Sequence, residues 1–319
     1  VDIATILAPP SLQFSRSKRM VFENSMRYSV HSMKITDFMM LITLAAIWGA
    51  SYLFFRVGAP VLGAIPFSTF RAVVAALALL GYLGVMRDLP NFRERWEQFL
   101  VIGLLNNVIP FILIATAVTR LNASLAAILN ATTPLLTALI AAVWIKDPFG
   151  IRKVVGVLLG IIGVAVLTRL SPIEMTSERI VAVMLSLLAS VSYGFAGVFA
   201  RTRFKSVSPI HASVGQLCGS SLLLMPLLPF TFVPTPQAFE VNVVVSVLAI
   251  SLICTSIAYL FYFRLIANIG ATRALTVTFL VPFFSVAWSV LFLHEPLNVG
   301  MFIGLGVILF SVWLVLWDK

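Results

Sequence analysis

Charge is scarce in this chain, and it is scarcest where it would cost most. Asp, Glu, Lys and Arg make up 11% of the 319 residues, against 60% hydrophobic residues and a mean hydropathy of +1.04. A water-soluble domain of this size cannot hide so much apolar surface, so the composition excludes an ordinary soluble fold. The two cysteines, Cys218 and Cys254, both lie in apolar stretches. That excludes a disulfide framework and a cysteine-based metal cluster. His31, His211 and His294 are scattered without ligand spacing, so no metal site is expected. There is no Gly-rich phosphate loop, no Gly-x-Ser-x-Gly elbow and no pair of catalytic carboxylates. An enzymatic reading is left without catalytic residues, and no cofactor is expected.

Long apolar runs are what the chain has in abundance. Ten stretches, near 38–58, 66–86, 99–119, 123–145, 152–169, 179–200, 209–230, 241–264, 270–293 and 298–317, can each cross a membrane. The hydrocarbon layer is about 30 Å thick, and a helix rises about 1.5 Å per residue. All twelve carboxylates fall at the ends of these stretches, in connections or in the leader. None lies inside a span, where an ionised group is expensive.

The cations give the expected orientation. If the amino terminus is cytoplasmic, that side collects Lys34, Arg87, Arg93, Arg95, Lys146, Arg152, Lys153, Arg201, Arg203, Lys205, Arg264, Arg273, Lys319 and the basic residues of the leader. The other side keeps Arg56, Arg120, Arg169 and Arg179. The bias predicts both termini in the cytoplasm of a multi-pass protein of the inner (plasma) membrane. It also accounts for the net charge of +10, so nucleic acid is not an expected partner.

The chain repeats itself. Residues near 105–168 reappear 148 positions later: Pro134 falls on Pro282, Ala123-Ser124 on Ala271-Thr272, Asp147-Pro148 on Glu295-Pro296 and Gly156 on Gly304. A second register, offset by 145, places Trp48-Gly49 on Tyr193-Gly194 and Arg56 on Arg201. The expected units are 38–169 and 179–317. Five helices carry a chain from one side of the membrane to the other, so the second unit enters upside down. The predicted fold is an all-α integral membrane bundle of ten transmembrane helices in two inverted five-helix repeats. Inverted repeats supply two states of similar energy, one open to each side.

Residues 1–32 stand apart from this design. They are polar and patternless, and lack the apolar core of a secretory signal. Met33-Lys34-Ile35-Thr36-Asp37 leads straight into the first span. The leader reads as an over-extended gene start, or alternatively as a disordered basic cytoplasmic tail.

Several segments resemble the EamA family of the drug/metabolite transporter superfamily. Leu121-Asn-Ala-Ser-Leu-Ala-Ala-Ile128, Pro134-Leu135-Leu136 and Gly156 to Gly163 look like its first half-unit. Gly270-Ala271-Thr272, Pro282, His294-Glu295-Pro296-Leu297 and Gly304-Leu305-Gly306 look like its second, and Trp48-Gly49-Ala50-Ser51 is typical of its first span. Asp147 departs from the Glu usual at that point but keeps the charge. The resemblance covers roughly 38–317. It implies ten spans, an inverted five-plus-five repeat and transport of small organic molecules, most often export of amino acids, metabolites or drugs.

Candidate pathway residues follow from the cost of polar groups in hydrocarbon. Asn106, Asn107 and Asn130 lie inside apolar spans, and the repeat equivalents of the last two, Thr255 and Thr278, are polar as well. They either bond neighbouring helices or line a wet pathway, and neutral groups of this kind suit a zwitterionic or polar neutral solute. Trp48 and Tyr193 are equivalent and each precedes a glycine. They are packing aromatics or cavity walls, and Tyr259 and Trp288 share that choice. Ser51 faces the same expected pathway. Arg71 is the one cation well inside a proposed span, away from its ends. It either snorkels to the outer surface or binds a substrate carboxylate, and its approximate counterpart is Gln216. Pro134 and Pro282 each remove a backbone bond in mid-span and are candidate matched hinges. Asp147 and Glu295 most simply complement the positive ends of spans 5 and 10.

The expected function is a secondary transporter, an exporter of small polar or amphiphilic metabolites (amino-acid-like solutes or drugs) by alternating access. The absence of carboxylates from the spans weakens proton coupling through Asp or Glu, which favours facilitated, downhill export. An importer of similar solutes, a lipid-linked flippase component and a non-transporting interaction protein are the alternatives. The expected partners are a small-molecule substrate and membrane lipid, with monomer and homodimer both open.

Overall fold

The computed structural model describes residues 34–171 and 174–316. The leader and its expected start at Met33 lie outside the described residues. Lys34 and the opening residues of the first helix, Ile35–Met39, form a unit of their own. The remainder, from Met40 onward, forms one unit of packed helices.

The spans are α1 (Ile35–Leu62), α2 (Ala64–Met86), α3 (Phe92–Ala117), α4 (Ala123–Trp144), α5 (Ile151–Arg169), α6 (Ser177–Arg203), α7 (Pro209–Thr231), α8 (Val241–Ile269), α9 (Val277–Leu293) and α10 (Val299–Leu316). Nine are long and apolar enough to cross a membrane among the described residues. The tenth, α9, has 17 residues, and a separate turn at Ala271–Ala274 precedes it. Hydrocarbon offers no partner for a free backbone N–H or C=O, so a chain of this composition must satisfy them inside helices.

All ten predicted spans are present. Among the departures, α3 starts at Phe92 where the apolar run begins near 99. Its added turns carry Arg93, Glu94, Arg95 and Glu97, a polar stretch that lets a helix continue past the hydrocarbon edge. The reversal between α1 and α2 is one residue, Gly63, with φ +86°, a conformation that a side chain would strain.

The two halves pack by exchange. At Gly49 on α1 a Cβ would fall 2.8 Å from Phe284 Cβ and from the Ser285 nitrogen on α9. At Gly194 on α6 it would fall 3.1 Å from the Thr137 nitrogen and 3.3 Å from the Leu136 carbonyl carbon on α4. Leu136 and Thr137 are the residues that Phe284 and Ser285 repeat 148 positions later. Each half therefore lays its first helix on the fourth helix of the other. The fifth helices meet as well. Gly156, Gly160 and Gly163 on α5 approach Val315, Ser311 and Ile308 on α10, while Gly304 on α10 approaches Leu167. Small residues let these backbones come close enough for dispersion to hold them.

Two π-helical segments interrupt this regularity, Leu104–Val108 in α3 and Ala249–Ile257 in α8. Moved by 148 residues the first becomes 252–256, which lies inside the second. Both copies therefore carry the same local widening, a feature that recurs at functional sites.

Candidate functional site

Each π segment faces the second helix of the other half. Arg71 on α2 donates from Nε to Thr255 Oγ1 on α8 at 3.1 Å. Thr255 in turn donates to the Ile250 carbonyl, five residues back, at 2.8 Å, a bond that the π geometry provides. On the opposite pair, Asn106 on α3 donates to Gln216 Oε1 on α7 at 2.9 Å. Gln216 passes the connection on, donating to the Tyr259 hydroxyl at 3.3 Å. Asn107 donates to Ser220 Oγ at 3.3 Å. Arg71 and Gln216 thus occupy matching places, one charged and one neutral.

Arg71 does not snorkel. It is 7% exposed, and its Thr255 partner stands 14 residues from either end of α8, about 21 Å along the helix. The guanidinium carbon lies 3.8 Å from the centre of the Phe111 ring and 5.2 Å from that of Phe55. Tyr52, Tyr193, Tyr259 and Cys254 are its nearest ionisable neighbours. The Tyr52 hydroxyl stands beside the Asn130 amide, and Asn130 Oδ1 accepts from Ser190 Oγ at 2.9 Å. A polar belt therefore runs from Asn130 through Tyr52, Arg71 and Tyr259 to Gln216 and Asn106, mid-membrane and walled by aromatic rings. Asn107 Oδ1 is buried and has no hydrogen-bond partner among the described residues. Such an atom costs roughly 1–3 kcal/mol until something bonds it.

The sequence expectations fare unevenly. Arg71, Asn130, Tyr193, Gln216, Thr255 and Tyr259 are brought together, and Ser51 stands beside Cys254 at the edge of the group. Trp48 lies apart, its ring 5.3 Å from that of Tyr262. Trp288 donates from Nε1 to the Ala46 carbonyl at 2.9 Å, a packing bond between α9 and α1. Thr278 turns inward on its own helix and donates to the Leu275 carbonyl at 2.8 Å. Tyr52, Phe55 and Phe111 were missed. The position equivalent to Tyr52, 145 residues on, is Gly197, so the repeat carried no signal for it.

The prolines are unequal. In α4 the helix breaks at Ala131-Thr132 and restarts with Pro134 in its first turn. The Asn130 carbonyl, which a residue at 134 would bond were it not proline, accepts from Thr133 Oγ1 at 2.7 Å instead. In α9 the break falls at 275–276, and Pro282 lies inside the continuous helix beyond it.

Glu295 does not cap its own helix. It accepts from the backbone nitrogens of Ala123 at 2.7 Å and Ser124 at 3.2 Å, and from Ser124 Oγ at 2.7 Å, at the start of α4. This clamps the α9–α10 connection to the other half. Its repeat equivalent Asp147 makes a two-pronged pair with Arg201 at the end of α6, 2.5 and 3.2 Å. The hydrogen bond from Arg201 holds the Asp147 carboxyl below the usual carboxylate range. An open cleft of about 550 Å³ on the flank of α9 and α10 is lined by Thr276, Phe279, Leu309, Phe310 and Trp313. Its almost wholly apolar wall suits an acyl chain more than a head group.

An inverted bundle with exchanged helix contacts and a polar belt at mid-membrane defines a multi-pass membrane transporter. The model of the EamA-like transporter family matches residues 36–169 and again 180–317, and the chain belongs to that family. Among its relatives, the uncharacterized transporter YvbV of Bacillus subtilis (strain 168) is 26% identical over 282 residues, 87% of this chain and 90% of its own. The WAT1-related protein At3g02690, chloroplastic, of Arabidopsis thaliana is 24% identical over 289 residues, 88% of this chain and 69% of its own. A solved crystal structure shares the fold, with a TM-score of 0.62 at 16% identity over 88% of this chain and 96% of its own.

Proposed function

We propose that the protein is a secondary transporter of the inner membrane that exports small polar or amphiphilic metabolites by alternating access. The observation that carries this reading is the inequality of the two ends of the bundle. The end holding the α3–α4 and α9–α10 connections is clamped by Glu295 on the start of α4. At the opposite end the equivalent carboxylate, Asp147, is engaged with Arg201. In a molecule built from inverted copies, equivalent carboxylates that hold different partners at the two ends describe one of two related states. Exchanging the conformations of the copies frees Glu295 and brings Asp147 to the start of the α9 segment at 271–272.

The excess of basic residues at the Asp147 end supports a cytoplasmic position for it. We read the Glu295 end as the closed one, so that solute enters from inside the cell, as an exporter does when loading. Asn107 Oδ1, unpaired among the described residues, is an atom that a passing solute and its water would bond.

The test is a resistance and efflux screen in cells overexpressing the chain, against amino acids, their toxic analogues and organic acids. Raised tolerance and faster loss of preloaded solute support export. Faster uptake with lowered tolerance would reverse the direction. No change for any solute, with the protein present in the membrane, would sink the transport reading.

A further inference from the structure

The polar belt holds a positive charge that the protein itself does not balance. Arg71 is buried, and among the described residues no carboxylate lies within ion-pair distance of it. Among the described residues its single hydrogen bond runs from Nε to Thr255, a neutral partner. The two terminal nitrogens, which form the fork best matched to a carboxylate, donate to no described side chain or carbonyl. One face of the guanidinium is covered by Phe111, so the open approach is in the plane of the fork. The remaining ionisable neighbours are three phenols and the Cys254 thiol, which can donate hydrogen bonds but bring no counter-charge at neutral pH. A buried cation left in this condition destabilises the protein until an anion joins it.

We propose that the central site takes organic monoanions, a single carboxylate carried on an apolar or aromatic body, in preference to zwitterionic amino acids and to neutral solutes. The inference rests on the transport reading and names its substrate class. The carboxylate sits on the Arg71 fork, and the body lies among the rings of Phe55, Phe111 and the tyrosines. A zwitterion brings an ammonium group as well, and the belt holds no carboxylate to receive it. The Asn and Gln amides can bond that ammonium but cannot repay its lost hydration. Outward movement of an anion also runs with an interior-negative membrane potential, so such export needs no coupling ion.

The full-length protein, purified and reconstituted in liposomes, is assayed for counterflow and for potential-driven efflux of three probes with the same ring and chain length. These are 3-phenylpropionate, its amide and L-phenylalanine. The carboxylate is expected to move at least 10-fold faster than either of the others, and faster still when the vesicle interior is made negative. Arg71→Ala should bring the carboxylate down to the level of the amide, and Arg71→Lys should recover part of the difference. Gel filtration of each variant separates loss of binding from loss of fold. If Arg71→Ala does not fold, the ranking of the probes and its voltage dependence in the unaltered protein decide the matter. Equal rates for carboxylate and amide, or a preference for phenylalanine, would overturn the anion site and leave transport standing. If none of the probes moves while an amino acid from the cell screen does, the anion site is likewise overturned. Failure of every solute in both assays would remove the transport reading itself.

Discussion

At the scale of single residues, the strictest demands fall on glycines at helix crossings. A Cβ at Gly219 on α7 would sit 2.3 Å from the Phe99 carbonyl oxygen of α3, and backbone cannot step aside as a flexible side chain can. Gly219→Ala is expected to cost roughly 1–3 kcal/mol by forcing α3 and α7 apart. That pair carries the Asn106–Gln216 bond, so transport should fall with stability. Gly81 on α2 meets nothing within 4 Å, and Gly81→Ala should leave stability unchanged or raise it by up to about 1 kcal/mol. Thermal unfolding of both variants in the same detergent checks the contrast, and equal shifts would show that the crossing is not tight. The same scale shows why some site residues were legible and others were not. Thr255 and Gln216 stood out because a polar residue in an apolar run at a repeated position is costly. Phe55 and Phe111 are ordinary aromatics in sequence and acquire a role only where Arg71 lies on them.

At the scale of helices, the repeat departs from regular α geometry at the π segments and at the broken helices. Sequence reasoning placed conformational freedom at Pro134 and Pro282 as matched hinges. The α4 break adjoins Pro134, at 131–132, and the exact repeat of that position would be 279–280. The α9 break comes four residues earlier, at 275–276, well before Pro282. Pro134→Ala supplies an N–H that competes with Thr133 for the Asn130 carbonyl and favours a continuous α4. It should slow transport several-fold and disturb Asn130. Pro282→Ala, inside a helix that is already continuous, should have the smaller effect. Counterflow rates of the two variants decide it, and equal or reversed effects would restore the matched-hinge picture. A proline is visible in sequence, but where the helix breaks depends on which carbonyls find other donors.

At the scale of the whole molecule, the clamp and the orientation are tested together. In a background where Cys218 and Cys254 are serine, Asn91→Cys and Ser206→Cys should react with an impermeant thiol reagent only from the cytoplasmic side. Glu174→Cys and Pro236→Cys should react from outside, and reversal of either pair would break the orientation. A central cysteine at Ser51 should be reached mainly from the cytoplasm. Adding Glu295→Gln removes the charge from three hydrogen bonds at the start of α4 and should open that cysteine to reagent from outside. Unchanged sidedness would mean that Glu295 is a static cap.

The amino-acid sequence by itself determined the ten spans, the inverted duplication and the family, because those rest on local quantities. Hydrocarbon forces backbone bonds inside each helix, charge is excluded from each span, and a duplicated gene repeats its motifs at a constant offset. Tertiary structure alone decided what the repeated residues touch. Arg71 is a bare cation in a run of apolar residues until Thr255 and Phe111, 184 and 40 positions away, close around it. Glu295 looks like a cap for the helix that follows it, yet it caps α4, 171 and 172 positions back along the chain. The direction of a side chain is local, but its partner is chosen by helix crossings, and those are set by glycines and ring shapes summed over both halves.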